Sequence, residues 1–449
     1  MKTKMNVSKK TQYRWFVLAL IFCVYMVAGA DRSNIGMVVP FIKKSFELTN
    51  TDIGAMASFF YLTYAVIQIP AGHLYSKKGV RGFYSISILF TSIATFIMGI
   101  ADSGLHLKWA RALLGLAEGP INIGSIATIN KWFPTQEKGM ATGIYLSSIK
   151  FAPAFVPPLC AWIILEFGWR TVFYVFAIPG IFLAVLWWLF VRDNPRDSKH
   201  VNEAEVYYIE HPTVTLEDTK KDASYNVKHP EGVIDKIIRT KLVAPLKSNK
   251  EILKSWNVWA DAAGYFCLVA ITYTIMTWIP TYLVQVKQFA IMKVGLVASA
   301  PWIGAVLGNV IGGTLSDKVF HSRRKPVMLI TAISTVFLMY SLKYAPNDMT
   351  ILGLLLLLAG TFLNLGYSMF LAYPMGIATK DKVPFAAAIV NTAGSLGGAF
   401  GPFAVGLILD MFGWDHVFTF LAGISLLVVF LLISMIEPIQ KTDSVPNNN

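Results

Sequence analysis

Twelve long apolar runs, centred near residues 27, 62, 90, 119, 152, 180, 270, 304, 335, 362, 397 and 425, decide the solvent in which this chain folds. Each is long enough to cross a hydrocarbon core of roughly 30 Å, which takes about 20 helical residues. The runs are continuous rather than alternating, so they predict membrane helices and not the strands of a closed barrel. With 55% of residues hydrophobic and only 14% charged, the chain is a polytopic membrane protein rather than a soluble enzyme. The first run begins at Trp15 behind a short basic leader, and no small-residue cleavage site follows it, so it is expected to be a retained helix.

A formal net charge of +13 could suggest nucleic acid as a partner. The basic residues instead collect in alternate loops: Lys2 to Arg14, Lys77/Lys78/Arg81, the segment 192–254, and Lys318/Arg323/Arg324/Lys325. The opposite loops are short and hold few, such as Lys43, Lys44 and Arg170. That asymmetry puts both termini on the cytoplasmic side and argues against nucleic-acid binding. Cys23, Cys160 and Cys267 lie far apart in apolar runs, so neither a disulfide framework nor a metal site is expected, and no cofactor is implied. One polar interruption divides six runs from six. The expected organisation is an N-terminal six-helix bundle over 1–191, a cytoplasmic linker over 192–255, a C-terminal bundle over 256–437 and a cytoplasmic tail over 438–449. Within the linker, Glu203 to Glu210 has a helical pattern.

The two halves resemble each other. "EFGWRTVFYVFAIPG", with Gly168 and Trp169, matches "MFGWDHVFTFLAGIS", with Gly413 and Trp414, at an offset of 245, and "AFVPP" from Ala154 matches "AFGPF" from Ala399 at the same offset. "GHLYSKKGVRG" from Gly72 and "GTLSDKVFHSRRK" from Gly313 are displaced by 241. Three pairs in one order imply duplicated six-helix halves, the arrangement of rocking-bundle transporters with a site between the halves.

Five ionisable residues fall in or near the apolar runs: Asp31, Arg32, Arg111, Glu118 and Lys150. Left unpaired at mid-bilayer, each costs about 2.5 to 3.5 kcal/mol on insertion scales. Structural ion pairs explain so many groups poorly, because buried pairs often stabilise no better than apolar replacements. Arg111 and Glu118 are seven residues apart, hence about 20° apart in azimuth and about 10.5 Å along the axis. They share a helix face with Asn122 without being placed to form a tight pair. Asp31 and Arg32, about 100° apart, point to different neighbours. Arginine stays charged at any relevant pH, whereas a carboxylate can titrate. With all five groups ionised the set sums to +1, and with both acids protonated to +3, so protonation prepares the site for an anion. Tyr61, Tyr64 and Gln68 form a polar stripe on the second helix, Asn391 and Ser395 another on the eleventh, and Asn364, Tyr367 and Ser368 a cluster on the tenth. Tyr273, Thr277 and Trp278 are cavity or gate candidates, with packing the simpler role for Trp278. The Gly-rich "GSLGGAFGP" is expected to serve close helix packing.

The Gly-x-Leu loops after the second and eighth helices, "DRSNIG" in the first, "RALLGLAEGPINIG" in the fourth, "TWIPTYL" from Thr277 and "IVNTAGSLGG" from Ile389 resemble the major facilitator superfamily. Within it they resemble the anion:cation symporter family, which includes bacterial galactonate and hexuronate transporters and vesicular glutamate and sialic acid carriers. The resemblance implies an all-α membrane fold of two six-helix pseudo-symmetric bundles. It implies proton-coupled import of an organic anion, a sugar acid of the hexonate or hexuronate class, by a functional monomer in a bacterial inner membrane. By the same resemblance Arg32 binds the substrate carboxylate, Asp31 and Glu118 are proton carriers, and Tyr64 and Asn391 match substrate-site positions; Arg111, the second permanent cation, is read from its charge as a further anion seat. Tyr61, Gln68, Lys150, Ser395, Tyr367 and Ser368 are further candidates for substrate binding. Two departures stand out: Ser76 replaces the usual loop acid, which Asp317 keeps in the second half, and Lys150 is outside the family pattern. Lys150 could be a third cation for a dicarboxylate or a partner for Glu118. An organophosphate:phosphate antiporter, a cationic drug exporter and a transport-inactive membrane sensor are the competing readings. No hydrolase triad, phosphate-cradling loop or metal cluster is legible.

Overall fold

In hydrocarbon no water is available to backbone amides, so each apolar run must close its hydrogen bonds within itself. The computed structural model describes residues 10–211, 238–320, 323–379 and 381–440, and among them twelve helical spans are long and apolar enough to cross a membrane. The leader before residue 10, the polar stretch 212–237 and the tail from 441 lie outside the described residues, and with them parts of the expected linker and tail.

In chain order the helices are α1 (Tyr13–Ser45), α2 (Asn50–Lys78), α3 (Arg81–Gly99), α4 (Gly104–Trp132), α5 (Thr135–Phe167) and α6 (Trp169–Phe190). The short α7 (Glu203–Glu210) follows, with Asn202 capping it by accepting from the Glu205 N–H. Then come β1 (Thr240–Val243), α8 (Asn249–Lys254), α9 (Trp256–Gln285), α10 (Ile291–Thr314) and α11 (Lys325–Leu342). The tenth span is broken at Gly366 into α12 (Met349–Leu365) and α13 (Tyr367–Ile377). The chain ends with α14 (Val383–Phe412), α15 (Trp414–Ser434) and β2 (Glu437–Gln440), which pairs in parallel with β1.

The chain forms two compact units, Met1–Leu48 with Phe59–Ser224, and Thr49–Ser58 with Tyr225–Asn449. In the first, α1 packs on α5 and α3 on α6; in the second, α9 packs on α14 and α11 on α15. These are the same pairings, first span with fifth and third with sixth, repeated six spans later. The duplication visible as short sequence matches is therefore also a duplication of packing.

Small residues make the packing tight. A Cβ on Gly397 or Gly401 of α14 would stand 2.1 Å from the Phe266 carbonyl oxygen or 2.4 Å from that of Ala270, both on α9. The Gly-rich segment thus lets two backbones approach closely, as its composition suggested. In the first unit Gly115 and Gly119 of α4 do the same against α2, where added methyl groups would meet the Phe60 and Tyr64 carbonyls at 2.2 and 2.8 Å. This approach brings the rings of Phe60 and Tyr64 beside the charged residues of α1 and α4.

Charged clusters fasten the polar ends. In the first unit Arg14 bridges Glu137 of α5 and Glu205 of α7, each at 2.8 Å, while Tyr208 donates to Glu137 at 2.9 Å. In the second, the Lys325 ammonium donates to the Ile238 and Met435 carbonyls at 2.8 and 2.6 Å. Glu437 accepts the backbone N–H groups of Arg324 and Lys325 at 3.0 and 2.7 Å. Asp410 of α14 caps the first turn of α2, accepting from the Asn50 and Thr51 N–H groups at 3.0 and 2.7 Å.

Candidate substrate and proton site

Four charged side chains of the first unit meet well inside the membrane spans. Asp31 and Arg32 come from α1, Arg111 and Glu118 from α4, and none is more than 5% exposed. Charges so placed must be matched by partners, since water cannot solvate them. Arg32 supplies the match for Glu118: its Nε donates to Glu118 Oε1, and its Nη2 lies against the same oxygen. Arg111 takes a different partner, its Nη1 donating to the Asp31 carbonyl at 3.3 Å. The seven-residue spacing that keeps Arg111 from pairing with Glu118 on α4 leaves Glu118 available to α1.

Aromatic faces complete the solvation of both cations. The Arg111 guanidinium lies 4.8 Å from the centre of the Phe60 ring, and that of Arg32 lies 4.7 Å from Tyr64 and 5.7 Å from Phe60. Such ring faces attract cations, the more so where water is excluded. Phe60 was not among the residues singled out from sequence. A lone Phe on a membrane helix carries no signal there, and its role follows only from the close approach of α2 to α4.

Polar capacity remains unused at this cluster. Glu118 Oε2, Asp31 Oδ2 and Arg111 Nε are buried without a hydrogen-bond partner. Asp31 Oδ1 accepts a long bond from the Asn34 amide, at 3.3 Å. Buried polar atoms are ordinarily satisfied, and leaving one bare is costly. Two half-satisfied carboxylates and a half-satisfied guanidinium are therefore a place where a proton or an anion would be welcome. With all four groups ionised their charges cancel; each proton added to an acid leaves the site one unit more positive.

The remaining candidates of this unit are nearby on the same helices or on α5. Tyr61 and Tyr64 are buried, and Gln68 is half-buried with its Nε2 unpartnered. Lys150 on α5 is half-buried. Asn122, the third member of the α4 stripe, accepts from the Tyr145 hydroxyl, and Tyr145 packs on Tyr25 with ring centres 4.5 Å apart.

The second unit holds the others. Tyr367 and Ser368 are half-buried at the start of α13, just after the break at Gly366, and Asn364 donates to the Gly360 carbonyl at 2.9 Å. Asn391 is exposed on α14, and the Ser395 hydroxyl donates to its carbonyl at 3.2 Å. Trp278 is a packing residue: it is 1% exposed, donates from Nε1 to the Pro402 carbonyl at 3.0 Å and stacks edgewise on Trp414. Thr277 is buried and Tyr273 half-buried. The loops that differ between halves behave differently too. Asp317 pairs with Arg324 at 2.9 Å, whereas Ser76 turns its hydroxyl onto the His73 carbonyl at 2.8 Å.

One ionisable residue escaped the sequence count. Asp261 of α9 is fully buried. As only the sixth residue of its helix, it reads in the sequence as part of the polar flank. Among the described residues no group of three or more His, Cys, Asp or Glu side chains could hold a metal ion.

The profile of the family described as Major Facilitator Superfamily matches residues 21–373 and 290–448. The chain belongs to the major facilitator superfamily. It is 28% identical over 452 residues to a probable galactarate/D-glucarate transporter of Escherichia coli (strain K12), covering 97% of each chain. It is 25% identical over 449 residues to a D-galactonate transporter of Escherichia coli O6:H1, covering 98% of this chain and 100% of that one. Among solved structures, a bacterial homologue of the human lysosomal transporter Spinster superposes with a TM-score of 0.75 at 15% identity, covering 95% of this chain and 97% of the other. This superfamily member is thus a multi-pass membrane transporter and not an enzyme.

If Arg32 is what makes a buried Glu118 tolerable, Arg32→Ala should lower stability by about 3–5 kcal/mol, the usual cost of stranding one partner of a buried pair. Adding Glu118→Gln to that variant should recover most of the loss. Thermal unfolding in detergent of the four proteins of this cycle measures the coupling, and additive losses would show that the two side chains do not depend on each other.

Proposed function

We propose that the protein imports an organic anion of the sugar-acid class together with protons, by alternating access, across a bacterial inner membrane. The observation that carries this reading is the buried Arg32–Glu118 pair, set beside a half-satisfied Asp31 and Arg111. The names of the similar transporters, for galactarate, D-glucarate and D-galactonate, point to the same chemical class.

The cycle follows from competition for one guanidinium. While Glu118 is ionised it occupies Arg32. A proton arriving from outside neutralises Glu118 and takes away that claim, and Arg32 then offers its fork to the substrate carboxylate in a bidentate bond. Arg111, with Nε unpartnered, is the second anion seat, and Asp31 is the second acid able to carry a proton. After release of the substrate to the cytoplasm and loss of the proton, Glu118 recovers Arg32 and the empty site is again internally neutral. Tyr61, Tyr64, Gln68, Tyr367, Ser368, Asn391 and Ser395 are assigned to the sugar hydroxyls. Lys150 is assigned to the second carboxylate of a dianionic aldarate. The transporter is assigned as a monomer with both termini cytoplasmic, as the loop charges favour.

In proteoliposomes with an acid exterior, wild type should accumulate radiolabelled galactarate or galactonate, and collapse of the pH gradient should abolish accumulation. Glu118→Gln should lose accumulation yet keep exchange of labelled for unlabelled substrate, because the neutral amide imitates the protonated acid. A Glu118→Gln protein that still accumulates substrate would remove that residue from coupling. Uptake indifferent to pH but dependent on internal phosphate would favour organophosphate exchange.

Lys150→Ala should raise the KM for the dianionic aldarate by about 10-fold or more while changing that for the monoanionic hexonate little, since a hydrogen bond to a charged group contributes roughly 1.5–3 kcal/mol. Equal effects on both substrates would take Lys150 out of the second-carboxylate role.

A further inference from the structure

Asp261 is a buried acid for which the mechanism above has no use. It lies on α9, whose neighbours in the second unit include α10, α13, α14 and α15. It is 0% exposed, and neither of its carboxylate oxygens has a hydrogen-bond partner. It differs in this from every other buried acid among the described residues: Glu118 and Glu205 have arginines, Glu437 two backbone N–H groups, and Asp31 an amide.

The titratable groups around it are tyrosines. Tyr265 stands one turn further along α9, and Tyr373 of α13 is near enough to interact with it electrostatically. The Tyr373 hydroxyl is committed to the Ile436 carbonyl at 2.7 Å. α14 presents small groups, with Gly394 against the Tyr265 ring. Among the described residues no lysine, arginine or histidine of α10, α13, α14 or α15 pairs with Asp261. An ionised carboxylate so buried, with neither cation nor donor against it, is not a sustainable occupant of such a place. A neutral carboxylic acid is.

Asp261 also stands at the start of a polar line. Its helix begins at Trp256 on the linker side, so it lies about 7.5 Å inside that end at 1.5 Å per residue. The next turn inward carries Tyr265, whose ring meets that of Tyr367 edge to face at 5.2 Å, with the two hydroxyls interacting. Tyr367 is among the residues assigned to substrate above. The line therefore runs from a candidate substrate residue, through one phenol, to an acid near the cytoplasmic end.

We propose that Asp261 is a proton-binding site of the second unit, which holds one proton in the state described here and exchanges it with cytoplasmic water during each transport cycle. No bond other than O–H is made or broken: the acid gives its proton to water admitted from the linker side and is later reprotonated through Tyr265. The inference rests on the proton-coupled reading above and adds one proton per substrate to it.

Asp261→Asn, which preserves shape and neutrality, tests this. The expected result is that substrate exchange persists while the proton-to-substrate ratio, read from the pH gradient that just balances a substrate gradient, falls by one. Tyr265→Phe should keep the ratio and slow net uptake relative to exchange. Infrared spectra of the purified wild type should show a carboxylic-acid band that is missing from Asp261→Asn and changes with substrate or pH. An unchanged ratio together with a band that responds to neither would overturn the proposal and leave Asp261 a structural neutral acid. A responsive band in a wild type that moves no protons with substrate would sustain Asp261 as a proton site and sink the symport reading instead. Should Asp261→Asn fail to fold, Tyr265→Phe with exchange and net uptake slowed equally would count against the site.

Discussion

A charge inside a membrane must be answered from within the protein, and the pairing of Arg32 with Glu118 is the answer around which the first unit is arranged. The two residues are on different helices, 86 positions apart in sequence. For them to meet, α1 and α4 must lie side by side at the right depth. For the guanidinium to tolerate that depth, α2 must bring Phe60 and Tyr64 close enough to stack. Gly115 and Gly119 permit the last of these, since any side chain there would strike the α2 backbone. The glycines of α4 thus contribute to the electrostatics of the site without bearing any charge.

In the proposed cycle the same pair is the switch. A purely structural ion pair would be best fully satisfied, with every lone pair and N–H engaged. Here Nε and Nη2 of Arg32 converge on one oxygen of Glu118, and the other oxygen is bare. Asp31 and Arg111 are likewise half-engaged. In the proposed cycle this under-satisfaction lets a proton and a carboxylate compete with the resting contacts.

The sequence made the helices plain because burial in lipid demands about 20 consecutive apolar residues, a signal that does not depend on tertiary context. The centre expected near residue 180, for example, is the middle of Trp169–Phe190. The duplication was legible from Gly168/Trp169 and Gly413/Trp414, since a positive-φ glycine opens the last helix of each half. The charged residues of α1 and α4 could be named, but not their partners: helical periodicity relates Arg111 to Glu118 and says nothing of which neighbouring helix approaches. Phe60 was invisible because its type is ordinary in a membrane span. Asp261 was overlooked for the opposite reason, because an acid so near the linker passes for a solvated flank until its complete burial is seen. Trp278 had an apolar explanation in sequence and has one in the structure.

The central claim is that Glu118 and the substrate carboxylate contend for Arg32, and substrate affinity measured against pH tests it most directly. For purified wild type, the Kd of a sugar acid should fall as pH falls, because protonation of Glu118 releases the arginine. In Glu118→Gln that dependence should flatten, with affinity fixed near the wild-type value at low pH. A Glu118→Gln protein that binds with the full pH dependence of wild type, or a wild type whose affinity weakens on acidification, would contradict the account.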